Sequence, residues 1–227
     1  MSTCEAAVLW RLRESDRGSV LLCALLVIAL IATVGVALSL VVSTESVTAA
    51  NYHSAQQALY AADAAIERAI ADVRILSTWS ALPAPSSATT AVDFNDGQSI
   101  ARSPDGSILD LAQLTLKRQS ESDAVYPNTP DRPAWRLYAH APLSRVAPGA
   151  PNAAPYVVVW VADDADDLDG NAAVDTNDVV MLHAEAFAVR AGKRSVNVTI
   201  HREHAMDAGL PGLMRTDVRV IAWHEVR

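Results

Sequence analysis

Residues 20–42 read VLLCALLVIALIATVGVALSLVV, and none of these side chains is charged. With a rise of about 1.5 Å per residue, a helix over this stretch would be roughly 34 Å long, enough to cross a hydrocarbon core of about 30 Å. A buried core helix is the first alternative, but this stretch is too long and too apolar on all sides for one. A cleaved secretory signal would have a shorter apolar region, of about 7–15 residues. The stretch therefore predicts a transmembrane helix.

Basic residues flank this stretch on one side only. Arg11, Arg13 and Arg17 precede it, and the next Lys or Arg along the chain is Arg68. Because flanking basic residues are retained on the cytoplasmic side of a membrane, the pattern predicts a single-pass protein of the inner (cytoplasmic) membrane. Its N-terminus would be cytoplasmic and its C-terminus extracytoplasmic.

The helical pattern continues beyond the apolar stretch. Residues 43–77 contain neither Pro nor Gly and are rich in good helix formers. Leu59, Ile66 and Val73 recur at intervals of seven and predict one apolar stripe. We expect one helix from about Ser19 to Ser77, with two helices broken near residues 43–49 as the alternative. A second row of the stripe is Ala55, Ala62, Ala69 and Leu76, and the polar residues expected away from it are Gln56, Asp63, Glu67 and Arg74.

The remainder of the chain predicts a β-rich head. Residues 195–201 alternate between polar and apolar side chains, which is typical of a half-buried strand, and Gly192-Lys193 predicts a hairpin turn. We expect a two-layer α+β fold in which the long N-terminal transmembrane α-helix packs on a C-terminal antiparallel β-sheet. Residues 107–116 fit either a strand or a short helix. The expected strands are Ala91–Phe94, Trp135–Ala141, Tyr156–Val161, Val179–Ala188, Ser195–His201 and Asp217–Val226.

Charge and cysteine content exclude some classes of function. The chain of 227 residues carries 18 Lys and Arg against 26 Asp and Glu, a formal net charge of −8. A nucleic-acid partner is not expected, because such proteins need a basic face. The two cysteines, Cys4 and Cys23, both precede the predicted head, so no disulfide is expected to stabilise it.

An acidic loop precedes the Val179 strand, with seven aspartates between Asp163 and Asp178 and no basic residue. From Asp167 the sequence D-L-D-G-N-A-A-V-D-T-N-D has the EF-hand-type spacing of oxygen ligands for calcium and resembles the dockerin-type variant, which ends in Asp. Two features depart from the pattern: Ala172 stands where Gly is expected, and a strand-like segment follows instead of a helix. The alternative is a solvated hairpin loop. The expected ligands are Asp167, Asp169, Asn171, the carbonyl of Ala173, Asp175 and Asp178.

Motifs of known enzymes are missing from the sequence. There is neither a Gly-rich phosphate loop nor a G-x-S-x-G motif. His201 and His204 of the HREH segment have no identifiable third zinc ligand, so a surface turn is expected there. We therefore expect a protein that is not an enzyme.

Two N-terminal stretches, RGSVLLCALLVIALIATVGVAL and NYHSAQQALYAADAAIERAI, resemble the type IV pilins, and most closely the minor pilins of the PilX N-terminal family. The tract Ala61-Ala62-Asp63-Ala64 is similar to the Ala-Ala-Glu-Ala of that family. The loop WVADDADDLDGNAAVDTNDVV and the last strand, RVIAWHEVR, also resemble the C-terminal part of PilX-like proteins.

The resemblance implies a processing site and a set of partners. Gly18 would be the last residue of the leader, and prepilin peptidase would cleave the bond between Gly18 and Ser19. Most pilins have glutamate where this chain has Cys23, and members without it resemble tip or initiating subunits. The implied partners are other pilins or pseudopilins, met through the N-terminal helix, and the inner membrane. The implied regions are a leader (1–18), a transmembrane helix (19–43), its amphipathic continuation (44–80) and a head (81–227).

The sequence thus predicts a minor pilin, a structural subunit or an initiation or tip component of a type IV pilus, which would also place it in the extracellular pilus. One alternative is a minor pseudopilin of a type II secretion system, since both use the same kind of helix. Another is a membrane-anchored, calcium-dependent binding module.

Overall fold

The computed structural model describes residues 3–84, 94–129, 131–147, 149–150, 154–167, 169–190, 192–206 and 214–226. The chain divides into two compact units, Met1–Ala50 and Asn51–Arg227. The fold is α+β, with one long N-terminal helix and a five-stranded antiparallel sheet.

The first helix, α1, spans Thr3–Arg74. It begins well before the expected Ser19 and ends three residues before the expected Ser77. The alternative of two helices is wrong, since the Ser- and Thr-containing residues 43–49 are helical throughout. Thr44 and Thr48 are accommodated because each hydroxyl donates a hydrogen bond to the carbonyl of the residue four positions earlier, at 2.9 Å.

The predicted apolar stripe of α1 is confirmed within the second unit. Ile66, Val73 and several alanines are fully buried in one cluster with residues of the sheet. Alanine has a short side chain, so the helix backbone approaches the sheet closely along this face. Asp63, expected to lie away from the stripe, is partly buried, and burial together with Glu225 and Glu67 raises the pKa of its carboxyl.

The main sheet has the order β3-β4-β5-β6-β7, and every neighbouring pair is antiparallel. Consecutive strands are adjacent, as predicted for a sheet of hairpins. Of the expected strand Ala91–Phe94, only Phe94 lies within the described residues, and it is in a turn. The strands are β3 (Arg136–Pro142), β4 (Tyr156–Asp163), β5 (Val179–Phe187), β6 (Lys193–Met206) and β7 (Met214–Val226).

The expectation of two layers is wrong because the sheet is covered on both faces. All eight residues of β4 are buried. Val157, Val159 and Val161 face the cluster that contains α1, whereas Val158 and Trp160 belong to a second cluster on the opposite face. A strand buried on both faces is apolar without alternation, which is the pattern of the YVVVWVA run in β4.

The second face is covered by elements between α1 and β3. A small hairpin of β1 (Ile100–Arg102) and β2 (Ile108–Asp110) leads directly into helix α2 (Leu111–Val125), so residues 107–116 form both a strand and the start of a helix. Asp110 caps α2 by accepting hydrogen bonds from the backbone N–H groups of Ala112 and Gln113 at 3.0 Å. A short helix, α3 (Leu143–Val146), follows β3.

Candidate functional site

The first candidate site is the surface of α1 in the first unit. Every described side chain between Gly18 and Ala49 is exposed, and the large aliphatic residues among them are 50–68% exposed. Of the described residues, one helical segment, Gly18–Arg74, is long and apolar enough to cross a membrane by length and composition. The part of α1 from Gly18 to Ala49 is therefore an apolar surface that no other described residue of the first unit covers.

Gly18, Ser19 and Cys23 lie on this surface. All three are exposed, and Cys23 is a free thiol. A Cβ placed on Gly18 would meet no atom within 4 Å, and Gly18 does not have a positive φ angle. The fold around Gly18 therefore does not require glycine.

The second candidate site is a group of three aspartates in the acidic loop between β4 and β5. Asp163, Asp167 and Asp175 each offer a carboxylate oxygen, and these oxygens all lie within 4.8 Å of one another. Asp163 is the last residue of β4 and pairs with Val180, so the register of the sheet fixes its position. The backbone N–H of Asp175 donates to the carbonyl of Ser80 at 3.1 Å, which ties the loop to the segment after α1.

All three carboxylates are buried: Asp163 is 0% exposed, Asp175 is 3% and Asp167 is 4%. Burial, reinforced by the charges of Asp175 and Asp167, raises the pKa of Asp163 to about 8. Burial is also the main reason why the pKa of Asp175 is raised to about 6. Burial alone would raise the pKa of Asp167 as well, but hydrogen bonds from the Thr176 hydroxyl and backbone hold it below its usual value.

Only two of the six ligands expected from the EF-hand-type spacing, Asp167 and Asp175, belong to this group. Asp169 and Asn171 are exposed, and each side chain accepts a hydrogen bond from the backbone two residues onward. Ala173 is half-buried. Asp178 has a φ of 60° and lies 3.7 Å from Arg202 Nη1. The residue after Asp178 begins β5, so no EF-hand-type helix follows this loop.

Two aspartates important for the loop were not among the expected ligands. Asp163 completes the group of three, and the signal for it was its position at the end of a buried apolar strand. Asp131 is 2% exposed, and its Oδ2 accepts hydrogen bonds from the backbone N–H groups of Gly170 and Asn171 at 2.9 and 3.2 Å. Nothing in the sequence around Asp131 pointed to a contact with a loop almost forty residues away.

The histidines do not add to this group. His201 and His204 lie in β6, not in a surface turn, and residues three apart on a strand project to opposite faces. His204 Nε2 lies 3.5 Å from Asp178 Oδ2. His140 instead forms a buried triad in the head, with its Nδ1 3.0 Å from both Asp96 Oδ1 and the Tyr156 hydroxyl.

A further polar group lies between β5, β6 and α2. Lys193 Nζ is 2.7 Å and His183 Nε2 is 3.4 Å from Glu185 Oε1. Burial alone would raise the pKa of Glu185, but the hydrogen bonds and charges of His183 and Lys193 hold it below its usual value. The Arg118 guanidinium lies 4.6 Å above the Trp135 ring nearby. These charges compensate one another, unlike those of the three aspartates.

No protein-family model, no curated protein and no solved structure matches this chain. Its function is therefore inferred from its own residues and their geometry.

Proposed function

We propose that the chain is a minor pilin, a structural subunit without catalytic activity that initiates or caps a type IV pilus. The observation that carries the proposal is the contrast along α1. Its aliphatic side chains from Val20 to Val47 are exposed, whereas its alanine-rich face from Ala58 to Val73 is buried under the sheet. A filament subunit of this class needs both an apolar helical segment and a head that covers the rest of the helix.

The exposed segment needs an apolar environment. Removing one Val, Leu or Ile side chain from water is worth about 1.5–3 kcal/mol, and more than a dozen such side chains are exposed here. A bilayer satisfies them before assembly, and the helices of neighbouring subunits satisfy them in a filament. Gly35 supports the second environment, because a Cβ there would meet no atom of the chain itself and glycine allows a second helix to approach closely.

Gly18 supports processing by prepilin peptidase. Glycine within a helix is less favourable than alanine by about 0.5–1 kcal/mol, and nothing in the surrounding structure requires it. A requirement from outside the fold accounts for its presence, namely access of the peptidase to the bond between Gly18 and Ser19. The arginines before the apolar segment orient the chain with its N-terminus in the cytoplasm and its head outside the inner membrane.

Cys23 supports a position at the tip or at initiation. A glutamate at this position would be costly in an apolar bundle unless a neighbouring subunit supplied a partner for its charge. An exposed, uncharged thiol has no such requirement. A subunit with no neighbour above it can therefore carry cysteine there.

The test is the N-terminus of the chain in filaments sheared from cells that express it naturally. We expect mass spectrometry to find the peptide that begins at Ser19, and we expect the variant Gly18→Leu to accumulate uncleaved in the membrane fraction. The matched control is Gly35→Leu, which leaves the cleavage site intact and should therefore still be cleaved in the membrane fraction. A chain that retains residues 1–18 and is missing from sheared filaments would refute the proposal.

A pseudopilin of a type II secretion system is the alternative within the same class. Deletion of the gene separates the two, because loss of surface pili supports the pilin and loss of secreted proteins with intact pili supports the pseudopilin.

A membrane-anchored, calcium-dependent binding module is the second candidate function, and the three buried aspartates favour it. Such a module would keep its leader and remain in the membrane fraction after shearing.

A further inference from the structure

Two oxygens of the buried aspartate group have no hydrogen-bond partner among the residues that the structure describes. Oδ1 of Asp163 accepts from the backbone N–H of Asp164 at 3.1 Å, and Oδ1 of Asp175 accepts from the N–H groups of Asn177 and Val179 at 3.2 Å. The Oδ2 atom of each of these two carboxylates is buried and accepts no hydrogen bond from the described residues. Leaving a buried polar atom without a partner costs about 1–3 kcal/mol, and more when the group is charged.

Other aspartates of the same loop differ in this respect. Asp164 accepts hydrogen bonds at both oxygens, from the Asn177 side chain and the Asp166 backbone. Both oxygens of Asp167 accept from Thr176. The loop therefore satisfies its other buried carboxylates, whereas two oxygens, one each on Asp163 and Asp175, meet no donor in the described part of the chain.

No described basic side chain compensates the charge of the group. In the described parts of the chain, no Lys, Arg or His forms an ion pair with any of the three carboxylates. Arg202 and His204, which lie on the adjoining strand, pair with Asp178 instead, at 3.7 and 3.5 Å. Three carboxylates, each with an oxygen within 4.8 Å of the others, therefore lack a positive partner among the described side chains.

The donor set and its spacing fit calcium. All three donors are carboxylate oxygens, which hard divalent cations prefer. Calcium binds oxygens at about 2.3–2.6 Å, so two oxygens on one ion are at most about 5 Å apart. The separation of at most 4.8 Å within the group satisfies this limit. Magnesium, with bonds of about 2.0–2.1 Å, requires a smaller and more regular set.

We propose that Asp163, Asp167 and Asp175 bind one calcium ion. This site differs from the EF-hand-type set, because it uses the end of β4 in place of Asp169 and Asn171. The bound ion joins Asp163, at the end of β4, to Asp175, whose backbone N–H donates to the Ser80 carbonyl. It thereby fixes the β4–β5 connection against the segment after α1. The proposal does not rest on the filament function, since its ligands all lie in the head.

The test uses the full chain, purified in detergent micelles and freed of metal with EDTA. We expect calcium chloride to release or absorb heat with a stoichiometry near one in titration calorimetry, and to raise the melting temperature. At free calcium about 100 times the dissociation constant, the ratio of folded to unfolded chain should rise about 100-fold. Magnesium chloride at the same concentration and potassium chloride at the same ionic strength should have much smaller effects.

The variants Asp163→Asn and Asp175→Asn should each weaken calcium binding at least about tenfold, because each removes one ligand charge. Asparagine has the same shape and can still accept the existing backbone hydrogen bonds. Because asparagine is uncharged and keeps these hydrogen bonds, the metal-free variants should melt no lower than the metal-free natural chain. Asp166→Asn, at an exposed position in the same loop, is the matched control and should bind calcium like the natural chain.

Asp169→Asn separates this site from the EF-hand-type set. Asp169 is a ligand in that set and lies outside the buried group, so we expect calcium binding to persist in this variant. Loss of binding in Asp169→Asn with retention in Asp163→Asn would overturn the proposal. It would also be overturned by no heat and no change in melting temperature at millimolar calcium, or by an equal response to magnesium.

Discussion

Trp160 is fully buried, and among the described residues its indole nitrogen has one hydrogen-bond partner, a side chain of α2. Its indole N–H donates to the hydroxyl of Thr115 on α2 at 2.8 Å, and this is the bond that connects the middle of β4 to the covering helix. We expect Thr115→Val to lower the free energy of unfolding by about 1–3 kcal/mol, because the shape is kept while a buried donor is left without an acceptor. Urea denaturation followed by tryptophan fluorescence measures the change.

Thr115→Ser is the control for this prediction, because serine keeps the hydroxyl and removes only a methyl group. Its loss of stability should be clearly smaller than that of Thr115→Val. Equal losses in the two variants would show that the methyl group, and not the hydrogen bond to Trp160, is what stabilises the contact between α2 and β4.

His140 makes stability depend on pH. Burial lowers its pKa from the ordinary value of 6.5, and the nearby carboxylate of Asp96 opposes this only in part. Below about pH 6.5 the unfolded chain therefore binds a proton at His140 more readily than the folded chain does, and acidification favours unfolding. The stability that the neutral imidazole supports is present above pH 6.5 and is lost as the pH falls towards the lowered pKa.

His140→Gln tests this sign, because glutamine can still hydrogen-bond to Asp96 and Tyr156 but does not titrate. Melting temperatures of both chains are compared from pH 7.5 to pH 5. We expect the difference between the natural chain and the variant to move in favour of the variant as the pH falls. Two curves that stay parallel over this range would contradict the lowered pKa of His140.

At the scale of single residues, the sequence shows which side chains a loop carries but predicts less well which of them meet in space. The sequence identifies the loop as acidic and predicts that Asp167 and Asp175 bind the same calcium ion. Asp163 was not expected there, because its place in the group follows from the pairing of β4 with β5 and not from any local spacing. Asp131 reaches the loop across the tertiary fold, and contacts of that range leave no periodic pattern in a sequence.

The element α1 meets the β5–β6 turn at a close contact between Ser54 and Gly192. The Ser54 hydroxyl donates to the carbonyl of Val189, and a Cβ on Gly192 would lie 2.6 Å from that hydroxyl oxygen. We expect Gly192→Ala to destabilise the head by about 1–3 kcal/mol through overpacking. Thermal or urea denaturation measures this loss.

A double variant distinguishes a steric cause from a change in the turn itself. Ser54→Ala removes the oxygen that the new methyl group would meet and should alone cost about 0.5–1.5 kcal/mol through the lost hydrogen bond. Combined with Gly192→Ala, the total loss should be smaller than the sum of the two single losses. Strict additivity would mean that Gly192 is needed for a reason other than its contact with α1.

Elements with a strong period were predicted together with their buried faces, whereas for elements without one the sequence predicted at most the type of element. The stripe of α1 and the alternation of β6 identified a helix and a strand together with their buried faces. For helix α2 the sequence indicates only that residues 107–116 form a strand or a short helix. It predicts no more because most residues of α2 are polar and only Leu111 and Ser122 are buried. The apolar run of β4 predicted a strand, but its lack of alternation was not interpreted as burial on both faces, which is why the second covering layer was missed.

At the scale of the whole molecule, the chain contains two units with opposite relations to water. In Met1–Ala50 the described aliphatic side chains are exposed, whereas Asn51–Arg227 encloses two apolar clusters on the two faces of one sheet. The head therefore has its own core and does not need the apolar segment to cover it. Exposure of so much apolar surface to water is unfavourable, and the proposed function covers it with lipid or with other helices.

The flanks of that segment predict the orientation of the whole chain. Positively charged residues count within about 15–20 residues of a membrane span, and by this measure the basic residues lie only before it, since the first one after it is Arg68. We expect alkaline phosphatase fused to the C-terminus to be active, because it would be outside the cytoplasm.

Moving the positive charge to the other flank should abolish most of that activity without touching the head. The control chain carries the new lysines but keeps its arginines, and its activity should be intermediate. An inactive fusion to the natural chain would contradict the orientation, and equal activity in all three chains would contradict its dependence on the flanking charges. The substitutions are Arg11→Gln, Arg13→Gln and Arg17→Gln combined with Ser43→Lys, Ser46→Lys and Val47→Lys.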